Sequence, residues 1–226
     1  MRISVGLISF LIFLSTSANG SEVELALSEP IKMIGDNNNS SFSWEIGGRG
    51  YILHEDGLLQ MQQSQRKVRL PLGQGMLGLG LDFVKEIRND LILGYGTDNG
   101  DYGTSFVCRV SADLRTVRWC KNIGNINQRF SVSEDSVWVG AVGFAARINI
   151  SNGEYIWLLD NLYKIENGND SFNITCPISE NETTVTFYGQ DSNNRNNQKL
   201  RIDRKSGSII EITRISDKNS CASRRH

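Results

Sequence analysis

RINISNGEYIW, residues Arg147 to Trp157, is the stretch whose reading decides the fold. It ends an apolar strand, turns on Asn152-Gly153 and leaves through Tyr155 and Trp157. Gly153 has no Cβ, so it can supply the positive φ that a tight hairpin turn requires. Two other stretches can be written beneath it, RVSADLRTVRW from Arg109 to Trp119 and RIDRKSGSIIE from Arg201 to Glu211. Each has Arg first, a β-branched residue second and the turn in the middle. QMQQSQRKVRL, from Gln60 to Leu70, is a weaker copy that keeps an apolar second position as Met61. Starts at 60, 109, 147 and 201 give a mean spacing of 47 residues, which suits a four-stranded propeller blade better than a helical repeat.

Upstream of each copy lies a second β-rich stretch, GYILHEDG, DLILGYG, SVWVGAV and TVTFYGQ, with Ile52, Ile92, Trp138 and Phe187 as the inward residues. Further upstream, Phe42, Phe83, Phe130 and Phe172 each open a short extended segment and are expected to line a common axis. Four strands repeated four times, with almost no helical periodicity, predict an all-β chain. Its expected form is a four-bladed propeller-like assembly of four-stranded antiparallel sheets. Trp119 and Trp157, at matching places, are expected to wedge between neighbouring blades, where an aromatic ring buries about 150 to 250 Å².

On these residues the chain resembles the quinoprotein-type (PQQ-like) β-propeller repeat family. That repeat reads as an aliphatic strand, Asp or Asn, a Ser/Thr-Gly turn and a terminal Trp. The resemblance spans residues 40 to 215; it is good at the third unit, fair at the second and fourth, and weak at the first. It implies a propeller fold, although such propellers usually have seven or eight blades and here there are four units. The alternative is therefore a half-ring that dimerises into an eight-bladed propeller, so monomer and homodimer both stay open. The segment Glu22 to Ile34 is expected to add an outer strand or a clasp. None of the family's calcium or quinone-binding residues can be carried over residue by residue, so no cofactor and no metal site are expected.

Composition sets the remaining bounds. The first 20 residues, with Arg2, an apolar run from Ile3 to Leu14 and small residues up to Gly20, read as a secretory signal. No later stretch is apolar enough to cross a membrane as a helix. The domain layout is then an extended segment over 21–40, the propeller-like domain over 41–215 and a basic tail over 216–226. Formal net charge is -1, which gives no reason to expect nucleic acid, while the basic C-terminal end could meet an anionic partner. Four cysteines in an exported chain point to disulfides. Cys108 and Cys120 lie symmetrically about Leu114 and would face each other across a hairpin, leaving Cys176 and Cys221 to pair.

Loop length points to a candidate site. From Gly94 to the third strand of its unit is 15 residues and from Gly189 it is 12, against 7 from Gly140. Loops 95–105 and 190–198 are thereby expected to emerge on one face. Tyr95, Asp98, Asn99, Asp101 and Tyr102 would share a rim with Asp191, Asn193, Asn194 and Arg195. Carboxylates, amides and aromatics together suit a protein or glycan partner. The expected function is an exported, non-enzymatic binding or scaffold module. The alternatives are a secreted lyase or hydrolase acting through Asp98, Asp101, Tyr102 or Arg195, and a component of envelope assembly.

Overall fold

The computed structural model describes residues 21–25, 28–34, 41–75, 78–98, 103–124, 129–162, 172–191 and 197–215, with the side chains of 172–174, 190 and 191 left out. The strands fall into four sheets. Sheet I contains β2 (Lys32–Ile34), β3 (Ser41–Ile46), β4 (Arg49–His54), β5 (Leu58–Met61) and β6 (Lys67–Arg69), side by side in that order. Sheet II contains β7 (Gly78–Ile87), β8 (Asp90–Asp98), β9 (Gly103–Ser111) and β10 (Val117–Gly124). Sheet III contains β11 (Arg129–Val132), β12 (Ser136–Ala141), β13 (Phe144–Asn149) and β14 (Tyr155–Leu159). Sheet IV contains β15 (Phe172–Glu180), β16 (Thr184–Asp191), β17 (Asn197–Asp203) and β18 (Ile209–Ile215), with β1 (Val23–Glu24) added beside β15. Every pairing is antiparallel between sequential strands, apart from the long-range addition of β1 to β15. The result is a four-bladed, propeller-like assembly.

Three apolar clusters hold the sheets together. Trp44, Tyr51, Leu53, Leu59 and Met61 of sheet I pack on Leu81, Leu93, Tyr95 and Cys108 of sheet II. Ile92 and Val107 of sheet II meet Val137, Val139 and Ile148 of sheet III. Trp138 and Trp157 of sheet III meet Val185, Phe187, Leu200 and Ile202 of sheet IV. Each strand alternates its residues between the sheet before and the sheet after, so both faces of an interior sheet are apolar. Direct backbone approach concentrates where first strands converge: β7 meets β11, and β11, β12 and β13 meet β15. That convergence marks the hub.

The repeated Arg and Trp have a common role. Arg109 Nη1 and Trp119 Nε1 both donate to the Ile150 carbonyl of the next sheet, at 2.8 and 2.9 Å. Arg147 Nη1 and Trp157 Nε1 donate to the Arg204 carbonyl at 2.7 and 3.0 Å. Each acceptor lies three residues after the Arg of its own unit. At the first junction the Tyr51 hydroxyl donates at 2.7 Å to the carbonyl of Ala112, three residues after Arg109. The turns that carry these acceptors are shaped to receive the rings: a Cβ on Gly153 would stand 2.7 Å from Trp119, and one on Gly207 2.7 Å from Trp157. Gly153 and Gly207 also take φ of 76° and 77°. The expected wedging of both tryptophans is what the structure has.

One expectation needs correction and two are narrowed. Ile52 is not inward: it pairs with Gln60 on the face of sheet I turned away from sheet II, while Tyr51 and Leu53 are fully buried. The first repeat was aligned one residue early, and a one-residue slip in a strand turns every side chain to the other face. The segments led by Phe83, Phe130 and Phe172 do meet along the hub as first strands, but the described phenylalanine rings turn from it, because strand side chains project perpendicular to the sheet, toward neighbouring blades. Phe83 is buried between sheets II and III against Phe130, ring centroids 6.4 Å apart, and Phe42 packs between sheets I and II; the Phe172 side chain lies outside the description. Finally, of the two forms expected for the N-terminal segment, an outer strand or a clasp, the structure has the clasp. β1 pairs with β15 and β2 with β3, both on first-strand edges. Between them Glu29 N–H donates to the Val84 carbonyl at 2.9 Å and Glu29 pairs with Lys85 at 2.7 Å. The segment satisfies backbone groups that an open inner edge would leave unpaired, and it ties sheets IV, II and I together as a clasp along the hub.

Candidate functional site

Cys108 and Cys120 are bonded, directly opposed across β9 and β10 with Cα atoms 4.1 Å apart. Cys176 is buried and also disulfide-bonded; its expected partner, Cys221, lies outside the described residues, as do the expected signal and the basic tail.

The rim expected from loop length is largely replaced by strand. β8 continues to Asp98 and β9 begins at Gly103, so most of 95–105 is paired backbone, from Tyr95–Phe106 to Asp98–Gly103. Asp98 is exposed there. Tyr95 is not on a rim at all: it is fully buried toward sheet I, and its hydroxyl donates to the Pro71 carbonyl at 2.8 Å. Burial pushes its phenol above the ordinary value. In β8 its parity is that of Leu91 and Leu93, which decides its side. Asp191 ends β16, with its side chain outside the description. Asn99, Asp101, Tyr102, Asn193, Asn194 and Arg195 lie outside the described residues.

A cleft of about 470 Å³ lies at the opposite end of sheet II, lined by Arg88, Asn89, Asp90, Arg109, Ser111, Asp113, Arg115, Thr116 and Arg118. Two turns build it. Arg88 and Asn89 form the β7–β8 turn with φ of 51° and 65°, and Leu114 turns β9 into β10 with φ of 53°. Ala112 N–H donates to the Asn89 carbonyl at 3.0 Å and locks the turns together. The Ser111 hydroxyl accepts from the N–H groups of Arg115 and Thr116, both at 3.0 Å. Four guanidinium groups face two carboxylates.

Their roles differ. Asp90, only 6% exposed, is bound by Arg109 at 2.6 Å and approached by Arg118 at 3.5 Å. The Arg109 pair belongs to the latch that joins sheet II to sheet III. Arg115 pairs with Asp113 at 2.9 Å, and Arg66 of sheet I reaches the same carboxylate at 3.3 Å. Arg88, Arg115 and Arg118 are 68, 69 and 51% exposed; they keep donors turned toward solvent. The cleft therefore offers exposed guanidinium donors above a buried ionic floor. That suits planar, bidentate recognition of a carboxylate or phosphate.

The chain matches no known protein-family profile. It also matches no curated protein. Among solved structures it is similar to a europium-containing methanol dehydrogenase, at 10% identity with a TM-score of 0.52, over 87% of this chain and 53% of that one. The likeness is one of propeller fold. This chain spans about half the length of that protein.

A second charged cluster sits between sheets III and IV. Asp135 accepts from Arg147 at 3.0 Å and from Arg204 at 2.7 Å, while both guanidinium groups stand over the Trp138 ring at 5.2 and 6.0 Å. Burial would raise the Asp135 carboxyl, but the Ser136 hydroxyl and the two arginines outweigh it and hold it below the ordinary value. Glu180, beside Arg204, is raised chiefly by burial. A depressed carboxyl contributes stability that is present above its unfolded pKa, about 3.9, and is lost as pH falls through its folded one. Because Asp135 is 54% exposed, solvent limits the effect. Asp135→Asn is expected to cost about 1 kcal/mol at pH 7 and progressively less as pH falls below about 3.9 and through the depressed folded pKa. Denaturant titrations at pH 7 and pH 2.5 check this; an equal loss at both would mean that charge is not the cause.

Proposed function

We propose that this protein is an exported, non-enzymatic binding module that takes an anionic group, carboxylate or phosphate, in the cleft between the β7–β8 and β9–β10 turns. The observation that carries the reading is the cleft itself: four arginines line it against two aspartates, with the exposed Glu134 reaching Arg88 from outside at 3.7 Å, and three of the guanidinium groups are more than half exposed. A surplus of cationic donors on a scaffold locked by hydrogen bonds supports capture without demanding chemistry. No nucleophile and general base need be invoked. The Cys108–Cys120 disulfide is compatible with an oxidising compartment such as the periplasm or the extracellular space.

The face around Asp98 remains a separate proposal for protein or glycan binding. It lies eight residues along β8 from Asp90, about 26 Å away at about 3.3 Å per residue, so the two surfaces can be tested independently. Binding of inorganic phosphate and of polyglutamate is measured by titration calorimetry at low and moderate salt. The paired substitution Arg115→Glu and Arg118→Glu is expected to weaken binding by at least about tenfold, equivalent to about 1.4 kcal/mol, with the melting temperature nearly unchanged. Affinity that survives the double reversal, or that follows Asp98→Ala instead, would refute the cleft.

A further inference from the structure

Sheets II, III and IV each lock their two turns at one end with the same backbone bond. Ala112 N–H donates to the Asn89 carbonyl at 3.0 Å, Ile150 N–H to the Asp135 carbonyl at 3.0 Å and Arg204 N–H to the Thr183 carbonyl at 2.8 Å. In sheets II and III the first of these turns also binds a neighbour: the Asn89 side chain accepts from Arg49 of sheet I at 3.1 Å, and Asp135 accepts from Arg204 of sheet IV at 2.7 Å. Sheet IV is the last unit, and its turn from β15 to β16 has no next sheet to hold. Among the described residues, every hydrogen bond of Asn181, Thr183 and Thr184 stays within sheet IV. Glu182 and Thr183 are exposed.

That turn reads Asn181-Glu182-Thr183, an acceptor sequence for an N-linked glycan. The Asn181 Oδ1 accepts from the N–H and hydroxyl of Thr183 at 2.9 and 3.1 Å, and from the N–H and hydroxyl of Thr184 at 2.7 and 3.0 Å. Two of these donors are backbone N–H groups, so the network itself fixes oxygen as the atom facing the turn. Among the described residues nothing accepts from Nδ2. A sugar attached there leaves all four bonds in place. We propose that Asn181 carries an N-linked oligosaccharide when the chain passes through a secretory pathway that holds the transferase. In the transfer, Nδ2 bonds to C1 of the first sugar, the C1–oxygen bond to a polyprenyl diphosphate breaks, and one amide proton passes to the transferase.

The two other acceptor sequences whose Asn falls among the described residues are tied into junctions. Ile150, the middle residue of Asn149-Ile150-Ser151, is 4% exposed; its N–H is held by Asp135 and its carbonyl by Arg109 and Trp119 of sheet II. Asn149 itself stands in register with Ser136, which is fully buried where sheet III meets sheet IV. In Asn173-Ile174-Thr175 the Thr175 hydroxyl is buried, donating to the Phe144 carbonyl at 2.5 Å and accepting from the Ala141 N–H at 3.1 Å. Transfer acts on the entering chain before these contacts exist, so the fold decides which modified chains can finish. Chains modified at Asn149 or Asn173 are expected to be retained, and chains modified at Asn181 to be secreted.

Glycosylation at Asn181 shares with the proposed function only the expectation of export, and it is indifferent to what the arginine cleft binds. The full chain is expressed in cultured mammalian cells, both with its own leader and with a replacement secretory leader. Peptides from secreted and retained protein are mapped by mass spectrometry after enzymatic release of N-glycans in heavy-oxygen water. Secreted protein is expected to carry a glycan at Asn181 in most molecules and several-fold less at Asn149 or Asn173. Thr183→Ala is expected to abolish occupancy at Asn181. A glycan at Asn181 in protein secreted only behind the replacement leader would uphold the site while failing the expectation of export. Secreted protein bare at Asn181, or modified as fully at Asn149 or Asn173, overturns the proposal; so does protein modified at Asn181 but wholly retained. Should Thr183→Ala fail to fold, the wild-type map still decides.

Discussion

Trp157→Ala is expected to lower the unfolding free energy by about 3 to 5 kcal/mol, the usual cost of deleting a large buried ring whose site cannot collapse. The site cannot collapse because its walls belong to two different sheets. Trp157 is 7% exposed and lies 5.9 Å from the Trp138 ring centroid and 6.5 Å from that of Phe187. The Gly207 turn is moulded against its face. Losing the indole N–H leaves no orphan, since Arg147 still donates to the Arg204 carbonyl at 2.7 Å. The loss is therefore one of packing. Trp157→Phe separates the two contributions: it retains most of the wedge and should cost about 1 to 2 kcal/mol, including one net hydrogen bond. Urea titrations of both variants measure the difference, and a cost below 1 kcal/mol for the alanine would show that the ring is not a wedge.

The hairpins and the wedged tryptophans were legible because one residue pattern recurs, whereas the hydrogen bonds that the same Arg and Trp send to the next turn came only with the structure. An Arg at the head of the third strand, a turn and a Trp at the end of the fourth put both donors on one face of a hairpin, wherever the next turn lies. The first unit was harder to read. Its latch is the Tyr51 hydroxyl rather than an Arg and Trp pair, so nothing fixed the alignment and the frame slipped onto Ile52. The arginine cleft was not legible because its parts come from two turns of unremarkable spacing, 88–90 and 109–118, whose meeting depends on the Ala112 to Asn89 hydrogen bond. Runs such as LRTVR, rich in Arg beside a turn with an unexpected positive φ at Leu114, were the available signal.

In sheet II the loop-length argument overstated the loop for a different reason. A long interval between aligned residues was taken as loop, yet the same interval can be strand. In sheet II the pairing runs on through Gly96–Ser105 and Thr97–Thr104, and Thr97 is buried, its hydroxyl donating to the Thr104 carbonyl at 3.1 Å. Small and β-branched residues at 96–97 and 103–105 fit a pleated surface, so the ladder continues past the glycine at Gly94. That glycine answers to the hub, where sheets crowd, and not to the end of a strand.

Gly140→Ala puts that reading of the hub to its severest test. A Cβ at this position would fall inside contact distance of the Thr175 carbonyl oxygen, 2.7 Å from its carbon and 2.9 Å from the Cys176 Cα. All three are backbone atoms of a strand held on one side by β16, so they cannot swing away as a side chain would. The Thr175 hydroxyl, moreover, donates to the Phe144 carbonyl at 2.5 Å and accepts from the Ala141 N–H at 3.1 Å. Displacing β15 would break this junction. The expected cost is about 3 kcal/mol, the upper part of the range for overpacking a close-fitted interior. Gly94→Ala meets only the Phe130 ring, 2.6 Å from its Cε2, and a partly buried ring can rotate, so about 1 kcal/mol is expected there. The ordering is the diagnostic. Equal costs at the two glycines would mean that strand entropy, not the approach of the next sheet's backbone, explains why glycine stands at the hub.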